Sequence, residues 1–316
     1  MRIARVATGD GPRVGVVDGD VVHLLDGVGV TELLAADPDE RNRIAGASTV
    51  DVLLADARLL PPVEPPSIRD FVTFEEHVEG MVMGGGGPEA EIAPEWYEAP
   101  TFYFTNPASL VGAFDDVAVP PGCETLDYEL EVAAVVGRAG RDLDPSAARD
   151  HIAAYTVLND WSARDLQIRE MRVLLGPAKG KDFSTTLGPW LVTADELDAH
   201  RSGDRLDLEL EVRLNDAKVG DDTLANMAWS FEEMLAYASR GADVLAGDVL
   251  GSGTCGAGCL AELWGRRGRR EPPPLRPGDV VTMTVEGIGT IRNRVVAGVD
   301  PVPLPPARPA AFRRQR

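Results

Sequence analysis

The stretch Thr125–Arg138, "TLDYELEVAAVVGR", decides how this chain is read. From Val132 onward it has the apolar character of a buried strand, yet acids enter it at every second position. Successive side chains of a strand point to opposite faces, so Asp127, Glu129 and Glu131 share one face and Tyr128, Leu130 and Val132 the other. Either the acid face meets water, as the solvated side of a half-buried strand, or it turns inward, the direction indicated by its continuation into Ala133 and Val135. Buried carboxylates must be neutralised, and a divalent cation does this more completely than protonation. Carboxylates are hard oxygen ligands and point to Mg²⁺, Ca²⁺ or Mn²⁺. With no Cys or His cluster nearby, zinc is a poor candidate.

Two more segments carry complementary chemistry. "YTVLNDWSARDLQ" (Tyr155 to Gln167) is an apolar strand that ends in Asn159 and Asp160, followed by Arg164, Asp165 and Gln167. Asp160 at the strand end could supply another oxygen ligand. "GPAKGKDFSTTLGPW" sets Lys179 and Lys181 among glycines, as a cationic pair against an acidic centre would stand.

The 316 residues suffice for one large domain with an appendage, or for two domains. A hydrophobic content of 44% and a charged content of 26% are ordinary for a soluble globular protein. No stretch approaches the roughly 20 apolar residues of a membrane helix, and "MRIARVATGD" lacks the apolar core of a secretory signal. Cys123, Cys255 and Cys259 are an odd, sparse set, which argues against a disulfide scaffold and for a reducing cytosol. The Cys255-x₃-Cys259 pair reads as two small core thiols. The net charge of −20, from 51 acidic against 31 basic residues, repels nucleic acid and anionic lipid. Basic–aromatic clusters are also missing, so the chain favours a small-molecule site.

The first sixty residues alternate short apolar runs with Gly/Asp turns, the pattern of successive hairpins. A short helix is expected around "VTELLAA". "PPVEPPS" (Pro61 to Ser67) then forms a stiff boundary. The expected division is a small β-rich unit over 1–62, a larger unit over 66–303 and a frayed tail over 304–316. Strands are expected at 126–137, 152–159, 188–193, 206–215, 245–252 and 279–285. Helices are expected at "PSAARDHI" and at "SFEEMLAYASR", where Ser230 and Glu233 make a capping box. The fold class is α+β, dominated by β structure. "MVMGGGGPEAEIAPEWYE" reads as neither strand nor helix, and its four consecutive glycines suit a mobile loop.

Taken together, "DYELEVAAVVG", "NDWSARDLQ" and "KGKDFSTTLGPW" resemble the fumarylacetoacetate hydrolase family in order and spacing, over about residues 66–300. The resemblance implies a mixed β-roll or sandwich domain, a homodimer, and a divalent metal held by Glu129, Glu131 and Asp160. Of the four histidines, His23, His151 and His200 have ordinary packing or surface readings. His77 immediately precedes the glycine-rich segment and is the candidate general base. In the family's namesake a metal-binding Asp stands seven residues before the catalytic His, an interval that Asp70 and His77 keep. The partner Glu of that His falls on Glu262, which otherwise reads as a surface strand residue beside Trp264. Shorter acylpyruvase-like relatives use a Glu three residues after the His; here that position is Gly80, with Glu79 one residue early. His77–Glu262 is therefore the expected dyad and Glu79 the fallback. Lys181, Arg164 and Gln167 match positions near the metal, where they would stabilise an oxyanion. Thr185 and Thr254 match metal-side and substrate-side positions, and Tyr103 matches a substrate-binding tyrosine. Val72 and Met171 replace tyrosines that hold substrate carboxylates, so a less anionic substrate is expected.

The reaction implied is hydrolytic cleavage of a carbon–carbon bond in a 1,3-dicarbonyl acid, such as an acylpyruvate. The alternative on the same scaffold is decarboxylation or isomerisation of oxaloacetate-like or 2-hydroxy-dienedioate acids. A catalytically silent metal- or ligand-binding protein is the rival of a different class, and loss of main-set residues would support it; none is missing.

Overall fold

Both faces of the strand Leu130–Val136 are covered, and this organises the molecule. All seven of its residues are buried. Leu130, Val132, Ala134 and Val136 enter one core, while Ala133 and Val135 enter a second. A strand buried on both faces has to lie inside a layered fold. In the computed structural model, which describes residues 1–48 and 50–309, this strand pairs antiparallel with Ile152–Asp160 and with Val249–Gly251.

The three strands belong to a 12-stranded sheet. Its main path runs Val50–Leu53, Val21–Leu24, Gly11–Asp18, Arg2–Thr8, Thr185–Thr193, Ile152–Asp160, Leu130–Val136, Val249–Gly251, Ile68–Phe71, Phe102–Thr105. Most neighbours on this path are antiparallel, but Val249–Gly251 runs parallel to Ile68–Phe71. A second, five-stranded sheet contributes Val212, Val281, Met283 and Ile291 to the core that Leu130 and Val132 enter. This is the β-dominated, mixed-sheet α+β architecture expected from the sequence. The N-terminal strands form the expected meander of hairpins. They join the large sheet edge-on, where Arg2 faces Val192 and Ile3 faces Leu191.

One expectation is overturned. The first six residues of the supposed mobile segment, 81–86, are the second half of a helix, Glu75–Gly86, which stops where Gly87 adopts φ 90°; turns and a short 3₁₀ turn at Pro94–Tyr97 follow. Glycine costs a helix about 1 kcal/mol relative to alanine, so local preference argues against helix here. Tertiary packing reverses it. The helix lies against Leu260–Arg267 so closely that a Cβ on Gly265 would stand 2.1 Å from the Gly80 carbonyl oxygen. The capping box is present: Ser230 Oγ accepts from the Glu233 N–H, and the Glu233 carboxylate accepts from the Ser230 N–H. Residues 310–316 of the expected tail lie outside the described residues.

Candidate active site

A cavity of about 370 Å³ gathers residues from strands and helices far apart in sequence. Asp70, His77, Tyr103, Glu129, Glu131, Arg164, Gln167, Lys181 and Thr254 all line it. Asp160, Thr185 and Glu262 are buried and outside that lining. Thr185 faces Asp160 across the strand pair. Lys179 stays out: it is exposed and pairs with Asp182, so of the expected cationic pair only Lys181 enters the acidic centre.

The three alternating acids of the opening strand are all buried, and the solvated-face reading fails. Glu129 and Glu131 belong to a chain of linked carboxylates. Lys181 Nζ donates to both Glu129 and Asp160. Tyr103 Oη bridges Asp160 and Asp70, at 2.9 Å from Asp70. Asp70 and Glu131 approach one another beside Gly251. Gly251 makes the last approach feasible, because a Cβ there would meet Asp70 Oδ1 at 2.7 Å and Glu131 Oε2 at 2.9 Å.

Burial and crowding set the protonation of this group. Burial first, then the Asp160 charge, pushes the Asp70 carboxyl up to about 8. Burial and the neighbouring Asp70 and Glu129 raise Glu131 well above the carboxylate range. Burial also raises Glu129, but Lys181 and Arg164 outweigh it and bring that group below its ordinary value. Lys181 is lowered by burial and raised more strongly by Asp160 and Glu129, so its ammonium is retained.

Asp127 has a different job from its two neighbours on the strand. Its carboxylate accepts Arg164 Nε at 2.9 Å and the N–H groups of Leu260 and Ala261 at 2.8 and 2.9 Å. Those amides open the helix Leu260–Arg267, where a carboxylate satisfies orphan donors. Arg164 also contacts Glu129 at 2.7 Å and Gln167 Oε1 at 3.1 Å. Asp127 therefore links the Arg164 guanidinium, which also holds Glu129, to the helix that carries Glu262.

Glu262 is in the first turn of that helix and fully buried, not a strand residue at the surface. One of its oxygens lies 3.3 Å from His77 Nδ1 and accepts the Ala257 N–H, and the other accepts Arg266 Nε at 3.0 Å. Glu79 instead points to solvent, 3.8 Å from Arg266, and the fallback dyad is not formed. Cys259 Sγ lies 3.8 Å from His77 Nδ1. The sequence showed no Cys/His cluster, yet among the described residues His77, Cys259 and Glu262 bring one ligand atom each to within 4.8 Å of one another. The helix cap that places Cys259, with its sulfur accepting the Glu262 N–H, was the missed signal.

The family model described as fumarylacetoacetate (FAA) hydrolase C-terminal matches residues 67–296. The chain belongs to the fumarylacetoacetate hydrolase family. A second model, described as Rv2993c-like, N-terminal, matches residues 1–62. Among family members, the oxaloacetate tautomerase FAHD2A, mitochondrial, of Homo sapiens is 31% identical over 90% of this chain and 88% of its own length. The fumarylacetoacetase of Arabidopsis thaliana is 31% identical over 66% of this chain, which spans about three fifths (61%) of that enzyme's length. The solved structure of 5-carboxymethyl-2-hydroxymuconate delta-isomerase from Mycobacterium smegmatis superposes with a TM-score of 0.70 at 26% identity, over 94% of this chain and 100% of that one.

The donor set fits a hard divalent cation. Four carboxylates, Asp70, Glu129, Glu131 and Asp160, converge with only oxygen chemistry to offer. Asp70 Oδ1 and Asp160 Oδ1 are buried and have no hydrogen-bond partner. Lys181 and the shared Arg164 do not balance the acids, and a doubly charged ion would satisfy both the charge and the orphaned oxygens. The linked acids are held apart by Lys181 and Tyr103, so they form a wider ring than the His77–Cys259–Glu262 trio.

Proposed function

We propose that this family member is a divalent-cation-dependent hydrolase that cleaves a carbon–carbon bond in a 1,3-dicarbonyl acid of the acylpyruvate type. The observation that carries this reading is the buried His77–Glu262 pair at 3.3 Å, with His77 on the cavity wall beside the acids. A decarboxylase needs an enolate but no activated water, whereas a histidine backed by a carboxylate is the arrangement of a general base, of use to a hydrolase and to a tautomerase alike. Glu262 engages Nδ1 and fixes the ring, which leaves Nε2 to take a proton from water and direct it at a carbonyl. Glu129, Glu131, Asp160 and Asp70 would hold the cation, with Thr185 beside Asp160. A cation held there would supply Lewis-acid polarisation of a substrate carbonyl. Lys181 and Gln167 present donors to the cavity, and one well-placed oxyanion donor is worth about 2.7–4 kcal/mol. Arg164 holds Asp127, Glu129 and Gln167 in place, and Tyr103 and Thr254 face the substrate space.

The outer wall supports a substrate with an apolar acyl end. Val72, Val78, Met81, Val82 and Phe102 line it, three of them on the helix Glu75–Gly86. Met171 is exposed and absent from the lining, so only the change at Val72 bears on substrate choice.

A second reading, tautomerisation or decarboxylation of an oxaloacetate-like acid, is favoured by the coverage of the human tautomerase, which matches over nearly its whole length. Product analysis separates the two: the purified chain with Mg²⁺ is given acylpyruvates of increasing acyl length, and separately oxaloacetate. Release of pyruvate and a fatty acid supports hydrolysis; turnover of oxaloacetate alone rejects it. A homodimer is part of the proposal, and light scattering in solution measures it. No helix among the described residues is long and apolar enough to cross a membrane.

A further inference from the structure

Cys259 is unused in the reaction above, yet it is the N-cap of the helix that carries Glu262 and it touches the proposed base. His77 Nδ1 stands 3.3 Å from a Glu262 oxygen and 3.8 Å from Cys259 Sγ, and all three ligand atoms lie within 4.8 Å of one another. Tetrahedral zinc, with bonds of about 2.0–2.1 Å to nitrogen or oxygen and about 2.3 Å to sulfur, sets its ligand atoms roughly 3.3 Å (N to O) and 3.6 Å (N to S) apart. The two distances from His77 Nδ1 therefore already match two edges of such a coordination shell, and the third pair lies within 4.8 Å.

The surroundings also suit a metal. Arg266 Nε and the Ala257 N–H hold the Glu262 carboxylate, the kind of support that orients a metal-bound carboxylate. The Glu262 N–H at the helix start points at the Cys259 sulfur, where it favours a thiolate. His77 lines the cavity, which gives an ion a way in. A soft-tolerant cation differs from the hard ion of the oxygen ring, so the two sites would select different metals.

We propose that His77, Cys259 and Glu262 form a second metal site, specific for a thiophilic divalent cation of the zinc class, whose occupation removes the base from the reaction. On binding, the Cys259 S–H bond breaks, an S–metal bond forms and the proton passes to solvent. His77 passes its Nδ1 proton to Nε2 by way of solvent, stays neutral and contributes the Nδ1 lone pair, and the protonated Nε2 can no longer act as a base. Thiolate and carboxylate together offset the two charges of the ion. Burial raises the Cys259 thiol well above its ordinary range, so without metal the sulfur stays protonated.

Binding is read without reference to turnover. The full chain in excess Mg²⁺ is titrated with Cd²⁺, a spectroscopic stand-in for zinc, and the ultraviolet thiolate-to-metal charge-transfer band is followed. Zinc affinity is then measured by competition with a chromogenic chelator. The expected result is one equivalent bound with the band present in the wild type and in Cys123→Ser, the half-buried thiol serving as control. Cys259→Ser loses the band and at least tenfold in zinc affinity. His77→Ala keeps the band and loses affinity by a similar factor. A band that survives in Cys259→Ser, disappears in Cys123→Ser or never forms in the wild type overturns the proposal. So does zinc affinity unchanged by His77→Ala.

Discussion

Glu262 fills the space that a side chain on Gly80 would need: a Cβ at Gly80 would stand 2.3 Å from the Glu262 Cγ and 3.2 Å from Arg266 Nε. Gly80 is the position where acylpyruvase-like relatives carry their Glu. The two placements exclude one another sterically, so an acid from the second helix can reach His77 only because the first helix has no side chain there.

Gly80→Ala should therefore damage catalysis more than folding. Overpacking of this kind costs typically 1–3 kcal/mol, which a chain of this size can survive. The displaced Glu262 no longer orients His77, and turnover is expected to fall on the order of 10²-fold, within the range of general-base effects. Calorimetric titration with Mg²⁺ should give an unchanged affinity. A Gly80→Ala enzyme with normal turnover would show that Glu262 does not position the base.

His77→Ala tests the base directly. Turnover should drop about 10²–10⁴-fold, while Mg²⁺ affinity in calorimetry stays within a factor of a few, because His77 is no part of the acid ring. Loss of both together would place His77 among the cation's ligands.

Cation binding should strengthen as pH rises. Asp70, raised from 3.8 to about 8 by burial and by Asp160, is protonated at neutral pH in the ion-free fold, and the ion must displace that proton. For stability the sign is the reverse: the folded state holds a proton that the unfolded state has already released, so ion-free stability falls as pH rises from about 4 to 8. Thermal melts should show Mg²⁺ stabilising the chain more at pH 8 than at pH 5. Replacing Glu129 and Glu131 by Gln should weaken the affinity by at least tenfold at either pH, and an unchanged affinity would refute the ring as the cation site.

Asp127 predicts a structural defect. Asp127→Ala leaves the buried Arg164 charge with one of its two carboxylate partners and frees two amides at the start of the Glu262 helix. Breaking a buried pair from one side costs roughly 3–5 kcal/mol. Urea unfolding should register a loss of that order, with an unchanged midpoint as the contrary result.

The β-dominated class, the family and the candidate site residues were legible in the chain itself. Each of these is written in local order: acids at every second position, Asn159–Asp160 at a strand end, Lys181 among glycines, seven residues from Asp70 to His77. Period and spacing are properties of neighbours in the chain, so they are legible there. The tertiary structure was needed to show that "MVMGGG" is helical, that Asp127 caps a helix instead of joining Glu129 and Glu131, and that Cys259 meets His77. In each case the deciding contact joins residues more than 130 positions apart, and packing energy at that contact outweighs a local preference that points the other way.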